Sequence, residues 1–195
     1  MKKVGITGGM GCGKSTVVEA FRQLGVSCFV ADDVAASYYQ DPDFLSEIRS
    51  LFGDGVFDFD GRADKRRIAA LVFSDKEKLQ ALNALVHPRV MRDFDAFCRQ
   101  HEAEDYVLFE SAILYDCGLD RLMDRMVCVY LDLAERLRRL QARDGVGEDQ
   151  IMARIANQMP AEEMMRRADY IILNYEGNPR QRQVHYIDKH LRSNS

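Results

Sequence analysis

Apolar positions along this chain follow two rules in alternation. In five places they gather into short runs, within Lys2–Thr7, Ser27–Ala31, Tyr106–Phe109, Met126–Leu131 and Tyr170–Leu173. Runs this short predict strands buried on both faces, the signature of a parallel sheet. Residues 14–24 predict a helix that Gly25 ends. The first two strands and this helix form a βαβ unit with a right-handed crossover. Pro179, soon after Gly177, suits the start of a last helix running to about Leu191. From about Val34 to Glu104 the spacing turns helical (Leu45, Ile48, Leu51, Phe52; Ile68, Leu71, Val72; Leu79, Leu82, Leu85, Val86), and no convincing strand interrupts it.

The fold class that follows is α/β, with five strands in a three-layer sandwich. The expected division is a core of residues 1–33, 105–133 and 168–195, a helical insertion at 34–104, and a helical segment at 134–167. That last segment holds seven arginines and no lysine between Ala134 and Arg167. Asp54-Gly55 and Asp60-Gly61 mark turns inside the insertion. The spacing Asp58-x-Asp60-Gly61 resembles part of a calcium loop and Asp58-x-x-Gly61 a GTPase switch. Arg67 stands where a calcium loop needs Glu, so plain turns are expected.

One stretch is decisive for chemistry. Gly8-Gly9-Met10-Gly11-Cys12-Gly13-Lys14-Ser15 fits G-x-x-x-x-G-K-[ST] directly between the first strand and first helix. Glycines let the backbone curl until successive N–H groups point at phosphate oxygens, and the following helix adds its positive end. Lys14 can reach β- and γ-phosphates, and the Ser15 hydroxyl can ligate Mg²⁺. Gly9 to Thr16 are therefore expected to bind a nucleoside triphosphate.

Bulk properties narrow the partners. At 195 residues, 47% hydrophobic and 30% charged, the chain matches an ordinary globule. A net charge of −4 argues against nucleic acid. No apolar run reaches the ~18 residues of a membrane span, and the N-terminus enters a strand with no signal region. The chain is expected to be cytoplasmic, and nothing in it specifies an oligomeric state. Five cysteines, none spaced C-x-x-C, argue against disulfides and zinc. Cys12 stands apart, because a thiol in an anion-binding loop at a helix N-terminus is expected to be acidified and open to alkylation until nucleotide shields it.

In a parallel sheet, ligands bind beyond the carboxyl ends of the strands. Asp32-Asp33 follows the second strand and Glu110 the third, so each is a candidate base or Mg²⁺ ligand. Asp32 or Asp33 could equally cap a helix, and on an extended chain only one would face the site. Among the arginines, Arg143 in Arg143-Asp144-Gly145 is the best candidate to cover a migrating phosphoryl group, because it lies where the helix breaks. His87-Pro88 ends an apolar run. No second ligand lies at metal spacing from His87, while a substrate contact stays open.

Taken together these motifs resemble the dephospho-coenzyme A kinase family over nearly the whole chain. Gly5-Ile6-Thr7-Gly8-Gly9-Met10-Gly11-Cys12-Gly13-Lys14-Ser15-Thr16 matches its opening, and Ala31-Asp32 matches the A-D after the second strand. Gly61 to Phe73, Leu85-Val86-His87-Pro88 and Glu110 to Asp116 follow in order. Arg143-Asp144, Gln158-x-x-x-Glu162, Ala168-Asp169 and Asn174 complete the series. Departures fall at Val30, Ala36-Ser37, Lys65, Glu110 and Ser111-Ala112. The resemblance implies a P-loop kinase fold and transfer of the ATP γ-phosphoryl to the ribose 3′-hydroxyl of dephospho-coenzyme A. It implies Asp32 as base, Lys14 and Arg143 as charge stabilisers, and Mg²⁺ on Ser15. His87 and Glu110 would contact the acceptor, which the 34–104 insertion would hold, and 134–167 would be a lid. A nucleoside monophosphate kinase is the alternative; its phosphate acceptor needs no base at Asp32. A GTPase-like switch lacks its Asn-Lys-x-Asp motif here, and a nucleotide-binding subunit without catalysis is the third rival.

Overall fold

The computed structural model describes residues 1–73 and 75–193; residues 194 and 195, the end of the last expected core segment, lie outside the described residues. All five expected strands form: β1 (Lys2–Thr7), β2 (Cys28–Val30), β3 (Tyr106–Glu110), β4 (Arg125–Tyr130) and β5 (Tyr170–Leu173). Every pairing is parallel and the order is β2-β3-β1-β4-β5. β1 is thus central, and the chain crosses to one side of it and then to the other. That reversal puts the ligand crevice of an open α/β sheet at the end of β1, where the glycine-rich stretch begins.

The chain divides into two compact units, residues 1–30 with 98–195 and residues 31–97. In the first, α1 (Lys14–Arg22) and α9 (Arg180–Ser193) bury Val17, Val18, Phe21, Val184, Ile187 and Leu191 with Val4, Ile6, Leu108, Val127 and Ile172 of the sheet. Each such side chain contributes roughly 1.5–3 kcal/mol when fully buried. Gly25, at φ 80°, ends α1 as expected, its N–H bonding to Arg22 O. Gly5 leaves room for the side chains packed on the sheet, because a Cβ there would meet Met126 Sδ at 2.5 Å and Met123 Cγ at 3.0 Å. The edge strand β5 is guarded by Gln183, whose side-chain amide bonds both the N–H and the C=O of Leu173.

The second unit carries α2 (Ala31–Ser37), α3 (Pro42–Phe52), α4 (Lys65–Phe73) and most of α5 (Lys76–Gln100). Asp41 caps α3 by accepting from Asp43 N–H, with Pro42 in the first helical position. Tyr38 is fixed by a 2.7 Å bond to Asp93. One isolated antiparallel bridge, Phe57 to Ala63, is the nearest approach to a strand. Between those residues Asp58 accepts from Asp60 and Arg62 N–H, so the calcium-like and switch-like spacings are a plain turn. One local expectation needs correction. Ala31 starts α2 rather than ending β2, so Asp32 and Asp33 sit on a helical turn and the alternation of an extended chain does not apply to them. Pro88 lies inside α5 and does not stop it, because Val90, Phe94 and Cys98 continue a buried i, i+4 stripe.

Three further helices in the first unit follow β4: α6 (Leu133–Asp144), α7 (Glu148–Ile155) and α8 (Ala161–Arg167). Asp132 caps α6 through Glu135 N–H, and Gly145 at φ 65° ends it. Among the described residues, no helix is long and apolar enough to cross a membrane.

Candidate active site

The loop after β1 is shaped by the groups its carbonyls meet. Gly8 O accepts from Lys14 Nζ at 2.9 Å, Met10 O from Arg136 Nε at 2.8 Å and Cys12 O from Asn174 Nδ2 at 2.7 Å. A peptide is planar and trans, so turning a carbonyl one way turns the next N–H the other way. Arg136 thereby aims Gly11 N–H, and Asn174 aims Gly13 N–H, toward the opposite side of the loop. The N–H groups of Gly11, Gly13 and Ser15 have no acceptor among the described residues. α1 then begins at Gly13 with no side-chain cap, so its positive end is open to an anion.

Two of the glycines leave the room that these side chains occupy. A Cβ on Gly13, at φ 84°, would lie 2.3 Å from Asn174 Nδ2. One on Gly9 would lie 2.6 Å from the Arg136 guanidinium.

Lys14 and Glu110 converge beside the loop. Glu110 ends β3 between Ile6 and Val30, and its Oε1 lies 4.0 Å from Lys14 Nζ. Only 12% of the Lys14 side chain and 9% of the Glu110 side chain are exposed. Thr7 Oγ1, at the end of β1, is buried without a partner among the described residues. Cys12 contradicts its expected reactivity. It is 1% exposed, and burial pushes its thiol up despite the opposing pull of Lys14 and Arg136.

Residues 2–179 match the family model for dephospho-CoA kinase. The chain belongs to the dephospho-CoA kinase family. Members of the dephospho-CoA kinase family are transferases that phosphorylate dephospho-CoA with ATP, the last step of coenzyme A synthesis. The dephospho-CoA kinase of Chlorobaculum tepidum is 38% identical over 178 residues, covering 88% of this chain and 85% of that protein. The crystal structure of TT1252 from Thermus thermophilus is 33% identical, covers 97% of this chain and 96% of its own, and superposes with a TM-score of 0.87. Dephospho-CoA kinase from Campylobacter jejuni shares the fold at 22% identity and a TM-score of 0.69, covering 98% of each chain.

Against the pattern of a dephospho-CoA kinase, the expected site residues fall into three groups. Lys14, Ser15 and Glu110 come together in the first unit with Gly9 to Thr16. Asp32, Asp33 and His87 belong to the second unit. Both aspartates are exposed in the first turn of α2, and their carboxylates make no hydrogen bond or ion pair among the described residues. His87 is half-buried, and that burial lowers its pKa and favours the neutral ring. Arg143 does not join the loop. Its guanidinium forms a fork with Asp144, at 2.6 and 3.1 Å, and 64% of its side chain is exposed.

Arg136 does bond the loop; it is 5% exposed, with no carboxylate within ion-pair distance among the described residues. Its position four residues before buried Leu140 on α6 was the available signal. Asn174 and Gln158 also contact the loop, Gln158 by accepting from Met10 N–H at 2.9 Å. Asn174 is itself held by Arg180 at 2.7 Å.

Proposed function

We infer that this chain transfers the γ-phosphoryl group of ATP to the ribose 3′-hydroxyl of dephospho-coenzyme A, releasing coenzyme A and ADP. The observation that carries it is the loop whose carbonyls are turned away while the N–H groups of Gly11, Gly13 and Ser15 have no protein acceptor. A polyphosphate supplies the acceptors such amides lack. Residues Gly9 to Thr16 bind ATP, and Lys14 exchanges the Gly8 carbonyl for β- and γ-phosphate oxygens.

Asp32 is the base that takes the proton of the 3′-hydroxyl; a sugar alcohol needs that proton removed as the bond to phosphorus forms. Its exposed carboxylate, free of other bonds, suits that role. Arg143 covers the transferring group by giving up Asp144 for phosphate oxygens. Glu110 and His87 contact the acceptor, and the 34–104 insertion holds it. Residues 134–167 act as the lid that keeps water from the phosphoryl group.

Mg²⁺ fits the donors present. The Ser15 hydroxyl and the orphaned Thr7 Oγ1 are hard oxygens of the kind it takes, with few protein ligands needed when phosphates supply the rest. Ser15 would hold it, and the ion would neutralise charge shared by the β- and γ-phosphates. The chain works in the cytoplasm, as a kinase of small molecules.

The test is an acceptor panel under identical ATP and Mg²⁺. Dephospho-coenzyme A should be phosphorylated at least about a hundredfold more efficiently than any nucleoside monophosphate, a gap of ~2.7 kcal/mol. Preference for a monophosphate would establish the alternative kinase and remove the role given to Asp32.

A further inference from the structure

Met10 sits mid-loop, and both of its backbone polar groups are taken by side chains from residues 134–167. Its carbonyl accepts from Arg136 at 2.8 Å and its N–H donates to Gln158 Oε1 at 2.9 Å. The two side chains arrive from separate parts of that segment: Arg136 from the first turns of α6, Gln158 from the turn between α7 and α8. The second anchor is itself braced. Met159 N–H donates to Asp116 at 3.0 Å, and Arg167 pairs with Asp120 at 2.7 Å while lying 4.4 Å over the Tyr115 ring.

The two bonds act on different peptides. Arg136 fixes the Met10–Gly11 peptide, which aims Gly11 N–H. Gln158 fixes the preceding Gly9–Met10 peptide the other way round, its N–H outward toward α7–α8. The Gly9 carbonyl then turns to accept from Cys12 N–H at 3.2 Å. This reversal is what lets the loop close on itself before Gly13. Lose the acceptor at 158, and the Gly9–Met10 peptide can flip and carry the Cys12 bond with it.

We propose that Gln158 is a positioning residue for the phosphoryl donor: its Oε1, by holding Met10 N–H, sets the curl of the nucleotide loop and ties it to the base of the 134–167 segment. The inference rests on the proposed function only in taking that loop as the nucleotide site. Arg136 and Gln158 thus root the α6–α7 stretch at both ends on one residue of the loop.

The experiment compares Gln158→Met, similar in length but a poor acceptor, with Gln158→Glu, which keeps an acceptor. Amide hydrogen exchange at Met10 is followed in both, with ADP binding by calorimetry and steady-state kinetics for Gln158→Met. Exchange at Met10 should speed up about tenfold in Gln158→Met and stay near the wild-type rate in Gln158→Glu. For Gln158→Met the Kd for ADP and the KM for ATP should rise about five- to tenfold, with the KM for dephospho-coenzyme A within twofold. An unchanged ADP Kd, equal rises in both KM values, or Met10 exchange as fast in the Glu variant as in the Met variant would each overturn the proposal. If the wild-type chain bound ADP yet left dephospho-coenzyme A untouched, the proposed reaction would fall, and the ADP and exchange readings would still decide the role of Gln158.

Discussion

Asn174 makes the most demanding prediction, because one buried side chain holds the loop's second turn. It is 1% exposed; its Nδ2 donates to Cys12 O at 2.7 Å and its Oδ1 accepts from Arg180 at 2.7 Å. Asn174→Ala strips the donor from a buried carbonyl, which costs ~1–3 kcal/mol, and removes a charge-assisted bond that Arg180 partly replaces with water, for ~1 kcal/mol. A total of about 3 kcal/mol should lower the melting temperature by roughly 6–12 °C for a chain of this size. The Cys12–Gly13 peptide is then free to rotate, and Gly13 N–H no longer points where a phosphate oxygen would lie. Losing one such charge-assisted bond, ~1.5–3 kcal/mol, should raise the ADP Kd about ten- to a hundredfold. Arg180→Ala separates the two effects, since it removes the brace but leaves the bond to Cys12; its ADP Kd should rise far less. Thermal melting and calorimetry with ADP read both quantities. An Asn174→Ala protein that melts normally and binds ADP within twofold of wild type would refute the peptide-orientation argument.

Three more outcomes follow from the same geometry. Asp32→Asn should lower kcat at least about a hundredfold while ADP affinity stays within about twofold; a near-normal rate would move the base, with Asp33 next to test. Cys12, buried and raised in pKa, should react with iodoacetamide no faster than Cys128 in the folded chain without nucleotide, as peptide mapping of the labelled sites would show; rapid labelling of Cys12 would contradict its burial. Burial pushes Cys28 and Cys128 from 9.0 up to about 12, so both stay protonated in the folded chain where the unfolded chain would ionise. Their contribution to stability is complete below pH 9 and is lost as pH climbs toward 12. Urea midpoints should therefore fall between pH 8 and pH 10.5, and fall less in Cys28→Ala/Cys128→Ala; an equal fall in both proteins would remove thiol ionisation as the cause.

The strands were legible because each keeps a short apolar run, from burial on both sides in β3 and β4 and, at the edge, even in β5, where Ile171 and Leu173 are exposed. Their order was not, since β3 enters between β2 and β1 only through long crossovers that no local pattern encodes. The phosphate loop was legible because its spacing is its mechanism. What surrounds it was harder to read. Cys12 shows why, because the helix end and Lys14 argued for an acidic thiol, whereas packing under the loop leaves it 1% exposed and desolvation wins. The choice of Arg143 leaned on a helix break, yet the break leaves it solvated and paired with its neighbour Asp144. Arg136 takes the buried face that its spacing from Leu140 offers. Gln158 and Asn174 reach the loop from 148 and 162 residues away in sequence, a distance at which only the folded chain brings donor and acceptor together.

The claim beneath all of this is that the loop's amides are aimed at phosphate by the carbonyls' other partners. Amide NMR of the isotope-labelled chain, titrated with Mg²⁺ and ADP, tests it directly. Large downfield shifts and slowed exchange are expected at Gly11, Gly13 and Ser15, with Met10 N–H, already held by Gln158, nearly unmoved. Shifts confined to other residues, or a Met10 amide that moves as far as Gly13, would contradict it.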